Sequence, residues 1–282
     1  MRTRQIKTQA DVDRYVAKGY GAGERDSYIP WIKVRDIASR GRSREVQGSK
    51  TNRVHHLQSD LEYWYWLTLE FSEQVVDIRE QFPLFPSSES LAIASSLGIE
   101  YPKYPGTNVM FVLPTDVLVT LKQPDGKFRL AARTLKYQAE LDDPKTRRRT
   151  LEKFELERAV WRSRGVSDWA IVTDQVIGKT LAANLQWLRK AAHPQRHLLQ
   201  PALRKAYKDY LKYYCSSERT LASVIRSTAT AVTLPYEDGV MMFKDLVWTK
   251  EVLINLRVDS LALTGPCPSL SFPAPVVTEK VA

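Results

Sequence analysis

Residues 109–121 read VMFVLPTDVLVTL, residues 128–137 read FRLAARTLKY, and the step between them carries Pro124-Asp125-Gly126. Both flanking runs are rich in Val, Leu and Phe, the composition of half-buried strands. Proline presets the first turn position and glycine takes the left-handed one, which predicts a hairpin with a three-residue loop and a bulge. Gln123 then faces Lys127, and counting back along both strands sets Asp116 opposite Thr134. Side chains alternate faces along a strand, so Thr134 and Lys136 share the face of Asp116. A slip of one residue would separate them, so this convergence depends on the turn.

The elements around the hairpin set the fold class. Ser59 to about Ser72 has helical spacing, with Leu61, Trp64, Tyr65, Leu69 and Phe71. Val75–Phe82 reads as a short strand closed by Pro83 and Pro86. Residues 87–106, rich in Ser, Gly and Pro, read as a long surface connection. Thr150–Arg164 is predicted as a helix, capped by Thr150 and ended by Gly165. Trp169–Thr173 is a strand candidate, and a helix follows over about Lys179–Ala192. Helix, strand, hairpin, helix, strand is the order of an α/β domain with a mixed sheet. Ahead of it, Asp11–Lys18 suits a short helix, and Arg40-Gly41-Arg42-Ser43-Arg44 a flexible basic loop. After Pro194 the predicted elements are helices over His197–Tyr214 and Glu218–Thr230, two short strand-like runs within Val240–Leu256, and a Pro-rich tail from Thr264. Helices followed by a small hairpin suggest a winged-helix-type module.

Composition narrows the class of function. With 43% hydrophobic and 26% charged residues, the 282-residue chain has the balance of a soluble globular protein. It shows no apolar run of membrane-spanning length, and its first ten residues, MRTRQIKTQA, lack a signal-peptide core, so a cytoplasmic protein with no membrane partner is expected. Cys215 and Cys267 lie far apart without a CxxC partner, which supports neither a disulfide framework nor a zinc cage. Lys and Arg number 42 against 32 Asp and Glu, a net charge of +10. Residues 1–58 hold 13 basic and 6 acidic side chains, so +7 of that excess sits at the front. Such an end suits a polyanion, because neutralising phosphates releases counterions. A solvated basic surface would have the same composition.

Asp116 beside Lys136 is what a phosphodiester hydrolase requires. A carboxylate holds Mg²⁺, which polarises the phosphate and activates water, while an ammonium stabilises the developing charge or orients that water. Taken singly, each residue has a plainer reading, Asp116 as a strand-edge turn and Lys136 as an exposed strand lysine. Glu62 stands three residues after Ser59, as in a capping box. It reads equally as a further metal carboxylate. Glu157, with Phe154 and Trp161 at i−3 and i+4, tilts to the buried side of its helix and needs a metal or an arginine as partner. Arg147, Arg148 and Arg149 gain nothing from the dipole at a helix N-terminus, so they are candidate phosphate contacts or a solvated loop. Arg42 and Arg53 are further candidate DNA contacts in the basic front end. His55 and His56 read as positioning or packing residues.

Several runs resemble the TnsA family, the endonuclease subunits of heteromeric cut-and-paste bacterial transposases. They are Tyr28-Ile29-Pro30-Trp31, Gly41-Arg42-Ser43, Arg53-Val54-His55-His56-Leu57, Ser59-Asp60-Leu61-Glu62, Asp77-Ile78-Arg79-Glu80-Gln81-Phe82-Pro83-Leu84, Thr115-Asp116, Leu151-Glu152-Lys153, Glu155-Leu156-Glu157-Arg158, Thr173-Asp174 and Trp187-Leu188. The resemblance runs in unbroken order over about residues 28–190. It implies a restriction-endonuclease-like catalytic domain over residues 1–175 and a winged-helix partner-binding domain over 176–282. It places Glu62, Asp116 and Lys136 on the family's catalytic positions and Glu157 on an additional acidic one. It implies Mg²⁺, replaceable by Mn²⁺, held by Glu62, Asp116 and the Leu135 carbonyl. Thr134 stands where the family has a metal-binding glutamine, so its hydroxyl is a further candidate ligand, reaching the metal through water or not at all. The implied task is cleavage of the 5′ ends of a transposon in double-stranded DNA, beside a TnsB-like recombinase and a TnsC-like ATP-dependent regulator. Two other readings stay open: a free-standing restriction or repair nuclease, and an inactive DNA-binding adaptor of a transposase complex, which Thr134 favours.

Overall fold

The computed structural model describes residues 5–36, 42–85, 87–189, 195–258 and 260–273. The chain divides into two compact units, Met1–Ile177 and Gly178–Ala282. In the first, α1 (Gln9–Ala17) is followed by a two-stranded ribbon, β1 (Arg44–Gln47) and β2 (Val54–Leu57). Then come α2 (Asp60–Phe71), β3 (Val75–Pro83), α3 (Ser87–Ser96), β4 (Pro114–Lys122), β5 (Phe128–Leu135), α4 (Gln138–Asp142), α5 (Arg147–Ser163), β6 (Trp169–Val172) and α6 (Asp174–Ile177). Strands β3 to β6 form one mixed sheet in that order, antiparallel except for the parallel pair β5–β6. Leu118 and Ala132 of the sheet share a buried cluster with Ala94 of α3 and Leu156, Val160 and Trp161 of α5.

The hairpin forms in the register its turn dictates. Gln123 donates its N–H to the Lys127 carbonyl at 2.8 Å, Gly126 has φ of 83°, and the ladder runs from Lys122–Phe128 to Val117–Arg133. Two neighbouring expectations fail. Residues 87–106 are not one long connection: α3 occupies the first half, because Ser90 and Ala94 lie four apart on a fully buried face that the serine-rich composition disguises. Helix α5 begins at Arg147, ahead of Thr150. Asp143 starts it by accepting the Lys145 N–H at 3.0 Å and the Thr146 hydroxyl at 3.1 Å.

The second unit holds α7 (Lys179–Arg189), α8 (Pro201–Tyr214), α9 (Leu221–Ala231) and α10 (Tyr236–Trp248). Helix α10 replaces the two strand-like runs expected within Val240–Leu256. Met242, Phe243, Leu246 and Val247 are buried at helical spacing, whereas their bulk and branching resembled strand. No hairpin wing is therefore found among the described residues. The stretch from Thr264 is not wholly a tail either: Pro266 bridges to Thr220, Ser271 to Leu253, and Cys267 is buried between them. Both cysteines are free thiols. No described helix is long and apolar enough to cross a membrane.

A buried ionic knot ties the β1–β2 ribbon to β3. Arg53 donates to both oxygens of Glu80, at 2.7 and 2.5 Å, and to the Ile78 carbonyl at 2.7 Å. His55 bridges Glu80 and Thr51, at 2.8 Å to each, and the His56 N–H reaches Glu80 at 3.0 Å. Burial alone would raise the pKa of Glu80, but His55 and Arg53 hold it well below the ordinary carboxylate range. This corrects the assignment of Arg53 to DNA: its side chain is 7% exposed and its two terminal nitrogens are spent on Glu80 and the Ile78 and Val54 carbonyls. His55 and His56 serve packing and positioning, as expected. Because removing one partner strands a buried charge, Arg53→Ala is expected to cost about 3–5 kcal/mol in denaturant unfolding. A cost below about 1 kcal/mol, with DNA affinity lost instead, would return Arg53 to the DNA surface.

Candidate active site

The site forms where the sheet forks. The β4–β5 ladder ends at Val117–Arg133, while β5 continues to pair with β6 through Leu135–Val172 and the Lys136 N–H, 3.0 Å from the Val172 carbonyl. On the other side of β4, the β3 ladder skips the step between Glu80–Val117 and Phe82–Thr115. Gln81 fills that gap with a left-handed φ of 49°, and its carbonyl accepts the Trp31 N–H at 3.1 Å. A non-glycine residue held there stores strain of the kind that collects at functional sites. Asp116 is thus released from ladder pairing on both sides. Its carboxylate accepts the Leu135 N–H at 2.7 Å and the Gln81 side-chain amide at 3.5 Å.

Three acids share this region. Burial raises Asp116 above the ordinary range, offset in part by the Leu135 N–H, by Lys136 and by Gln81. Glu62, in the first turn of α2, is raised first by burial and then by the charge of Asp116. Its carboxylate accepts the Gln58 N–H at 2.9 Å and the Ser59 hydroxyl at 3.3 Å, while Ser59 caps the Glu62 N–H at 3.1 Å. Ser59 is therefore the helix cap, and the reciprocal half of the capping box is missing because Glu62 reaches the N–H of Gln58 and not that of Ser59. Glu62 is also an electrostatic neighbour of Asp116. Glu157 on α5 is pushed up to about 7, by burial and then by Asp116. Its partners are hydroxyls: Thr115 at 2.8 Å and Thr134, which lies 2.8 Å from both carboxylate oxygens. Trp161 in turn donates to the Thr115 hydroxyl at 2.7 Å. Of the two partners expected for Glu157, a metal or an arginine, no arginine pairs with it among the described residues, and the Thr134 hydroxyl is directed at Glu157.

A cleft of about 470 Å³ opens between these elements, lined among others by Asp116, Thr134, Leu135, Lys136, Lys153 and Glu157. Glu62 is not part of that lining and meets the site through its field at Asp116. Lys136 pairs with Glu140 one turn on. Among the described residues no three His, Cys, Asp or Glu side chains are arranged as a ready metal cage. What the donor set offers a divalent cation is hard oxygen and excess negative charge, since Asp116 raises both Glu62 and Glu157.

The arginine cluster behaves differently from its reading as a loop. Arg147, Arg148 and Arg149 lie in the first turn of α5. Arg148 and Arg149 pair with Glu152, each at 3.1 Å, and Arg149 donates to the Glu100 carbonyl at 2.7 Å. Stability thus accounts for two of the three. Arg147 and Arg42 are exposed. Gln81, Lys103 and Lys153 escaped the sequence reading. Gln81 and Lys153 were visible only as parts of matching runs, and Lys103 had no local signal.

Two family models cover most of this architecture. Residues 72–174 match the model described as TnsA-like endonuclease N terminal, and residues 177–256 match TnsA endonuclease C terminal. The chain belongs to the TnsA family. The Escherichia coli protein named Transposon Tn7 transposition protein TnsA is 42% identical over 181 residues, 64% of this chain. That match spans 63% of the relative's own length, a little under two thirds. The TnsA-like N-terminal match contains Asp116, Thr134, Leu135, Lys136 and Glu157, and Glu62 precedes it.

Acids with raised folded-state pKa bind protons more tightly than the unfolded chain does. The stability these three groups contribute is full below the ordinary carboxylate range and is lost as pH climbs through their raised values. With chelator present, the melting temperature is expected to fall between about pH 5 and about pH 8. Asp116→Asn should flatten the decline and raise the midpoint at the upper end. A wild-type midpoint that rises across this window would contradict the crowding of acids described here.

Proposed function

We propose that this chain is a divalent-metal-dependent DNA endonuclease, and that it cuts the 5′ ends of a transposon during cut-and-paste transposition. The observation carrying this reading is the fork, which frees Asp116 from both ladders and brings it beside Lys136 and the acids Glu62 and Glu157. We read the first unit as a restriction-endonuclease-like domain. The TnsB-like recombinase and TnsC-like regulator belong to this proposal through family membership.

Mg²⁺ or Mn²⁺ would be held by Asp116, Glu62 and the Leu135 carbonyl. When bound, such an ion polarises a phosphodiester and lowers the pKa of water. The chain's own groups supply the rest. Lys136, 31% exposed at the cleft, is available to stabilise charge on the phosphate or orient the attacking water once it leaves Glu140. Gln81 and the Leu135 N–H fix the orientation of Asp116. Glu157 acts as a strut, binding β4 through Thr115 and β5 through Thr134, so that the two strands stay open at a set width.

An inactive DNA-binding adaptor is the second reading. The engagement of Thr134 by Glu157 and the lack of a three-acid cage among the described residues favour it. The test is 5′-end nicking by purified protein with the recombinase, in Mg²⁺ or chelator. Asp116→Ala and Lys136→Ala are each expected to reduce nicking by about 10²-fold or more while complex assembly persists. Full excision by both variants would leave the nuclease assignment without support. Vigorous sequence-specific cutting by the protein alone would instead indicate a free-standing nuclease.

A further inference from the structure

The cleft carries more positive charge than Lys136 alone. Lys153 stands on α5 four residues before Glu157, so the two project from one face of the helix into the same cleft. Lys103 reaches that cleft from the irregular segment before β4, where it bridges to Met110. Apart from the exposed Arg147 and Arg42, which do not line the cleft, these lysines differ from the other cations considered for DNA. Arg53 is buried on Glu80, Arg148 and Arg149 are paired with Glu152, and Lys136 is paired with Glu140. Among the described residues neither Lys153 nor Lys103 has a carboxylate at ion-pair distance, although both share the cleft with Asp116 and Glu157. Lys153 also stands in the field of two like charges, Arg149 and Lys136, and with partial burial these hold its pKa below the ordinary lysine value.

Arg149 and Lys136 crowd Lys153, and the carboxylates paired with those two neighbours leave Lys153 without one of its own among the described residues. Like charges gathered without counter-charges destabilise the fold that carries them, and sites of this kind persist where an anion completes them. From this placement we propose that Lys153 and Lys103 form a phosphate clamp at the mouth of the cleft. They would grip the backbone of the strand to be cut and leave the phosphate at the acids to Lys136. The clamp rests on the nuclease reading and adds to it the residues that set the DNA strand in the cleft. Each phosphate contact contributes one released counterion, so the clamp has a signature independent of chemistry.

The test uses the full chain and a generic 30-base-pair duplex in chelator, with affinity measured across a range of salt. Lys153→Gln and Lys103→Gln should each weaken binding and reduce the salt slope by about 0.9. Lys153→Arg should keep the slope. The melting temperature of the glutamine variants should stay level or rise, because an unfavourable charge is gone, whereas a merely structural lysine would lower it. Lys127→Gln, at the exposed hairpin tip, serves as the unaffected control. If wild type binds the duplex, and in a separate assay with Mg²⁺ and the recombinase nicks 5′ ends, while the Lys103/Lys153 double glutamine variant keeps its full slope, the clamp is wrong and the nuclease reading survives. If the slope drops only together with the melting temperature, and arginine does not restore it, the lysines are structural. A wild type that binds no duplex overturns clamp and nuclease reading together.

Discussion

The hydrogen bond from the Leu135 N–H to the Asp116 carboxylate is the point on which the architecture turns. In a continuous antiparallel ladder a backbone carbonyl of the neighbouring strand would take such a donor. Here a side chain takes it, the β4–β5 ladder ends, and β5 proceeds alongside β6. The open wedge between the two strands becomes the cleft. Glu157 then crosses the wedge from the helix side and bonds to a threonine on each strand. An aspartate at the tip of the fork thus ends the pairing and also presents its acid to the opening.

That arrangement carries a cost in stability, and the surroundings offset it. Asp116, Glu62 and Glu157 are all raised, and all three lose solvation in the fold. Gln81 adds a left-handed backbone. One residue away, Glu80 is held by Arg53, His55 and the His56 N–H, which anchors β3 where strain is greatest. Concentrating local violations at one place, with a firmly bonded neighbour beside it, is the pattern expected of a functional site.

How much was legible followed from the range of the interactions. The hairpin register was readable, because turn chemistry and two-residue alternation are local, and Pro124-Asp125-Gly126 placed Asp116 and Lys136 together. The cap that Ser59 sets on the Glu62 N–H was readable for the same reason, three residues apart, whereas the return bond from Glu62 goes to Gln58 instead of Ser59. Arg53 misled because a charged residue in a basic stretch reads as surface, while its partner Glu80 is 27 residues distant. The hydroxyl partners of Glu157 come from two strands, and nothing near it in sequence announces them. The run from Val240 misled through composition: aromatic and branched residues suggested strands, and the buried spacing of Phe243, Leu246 and Val247 makes a helix. The Lys103 and Lys153 pair exists only once the chain has folded.

In the proposed mechanism the fork presents Asp116 and Glu62 to one divalent cation. The decisive measurement is anomalous diffraction from crystals soaked in Mn²⁺. A single strong peak against the Asp116 carboxylate is expected, with Glu62 and the Leu135 carbonyl as its other protein ligands. Mn²⁺ bound elsewhere, with Asp116 still held only by the Leu135 N–H and Gln81, would contradict it.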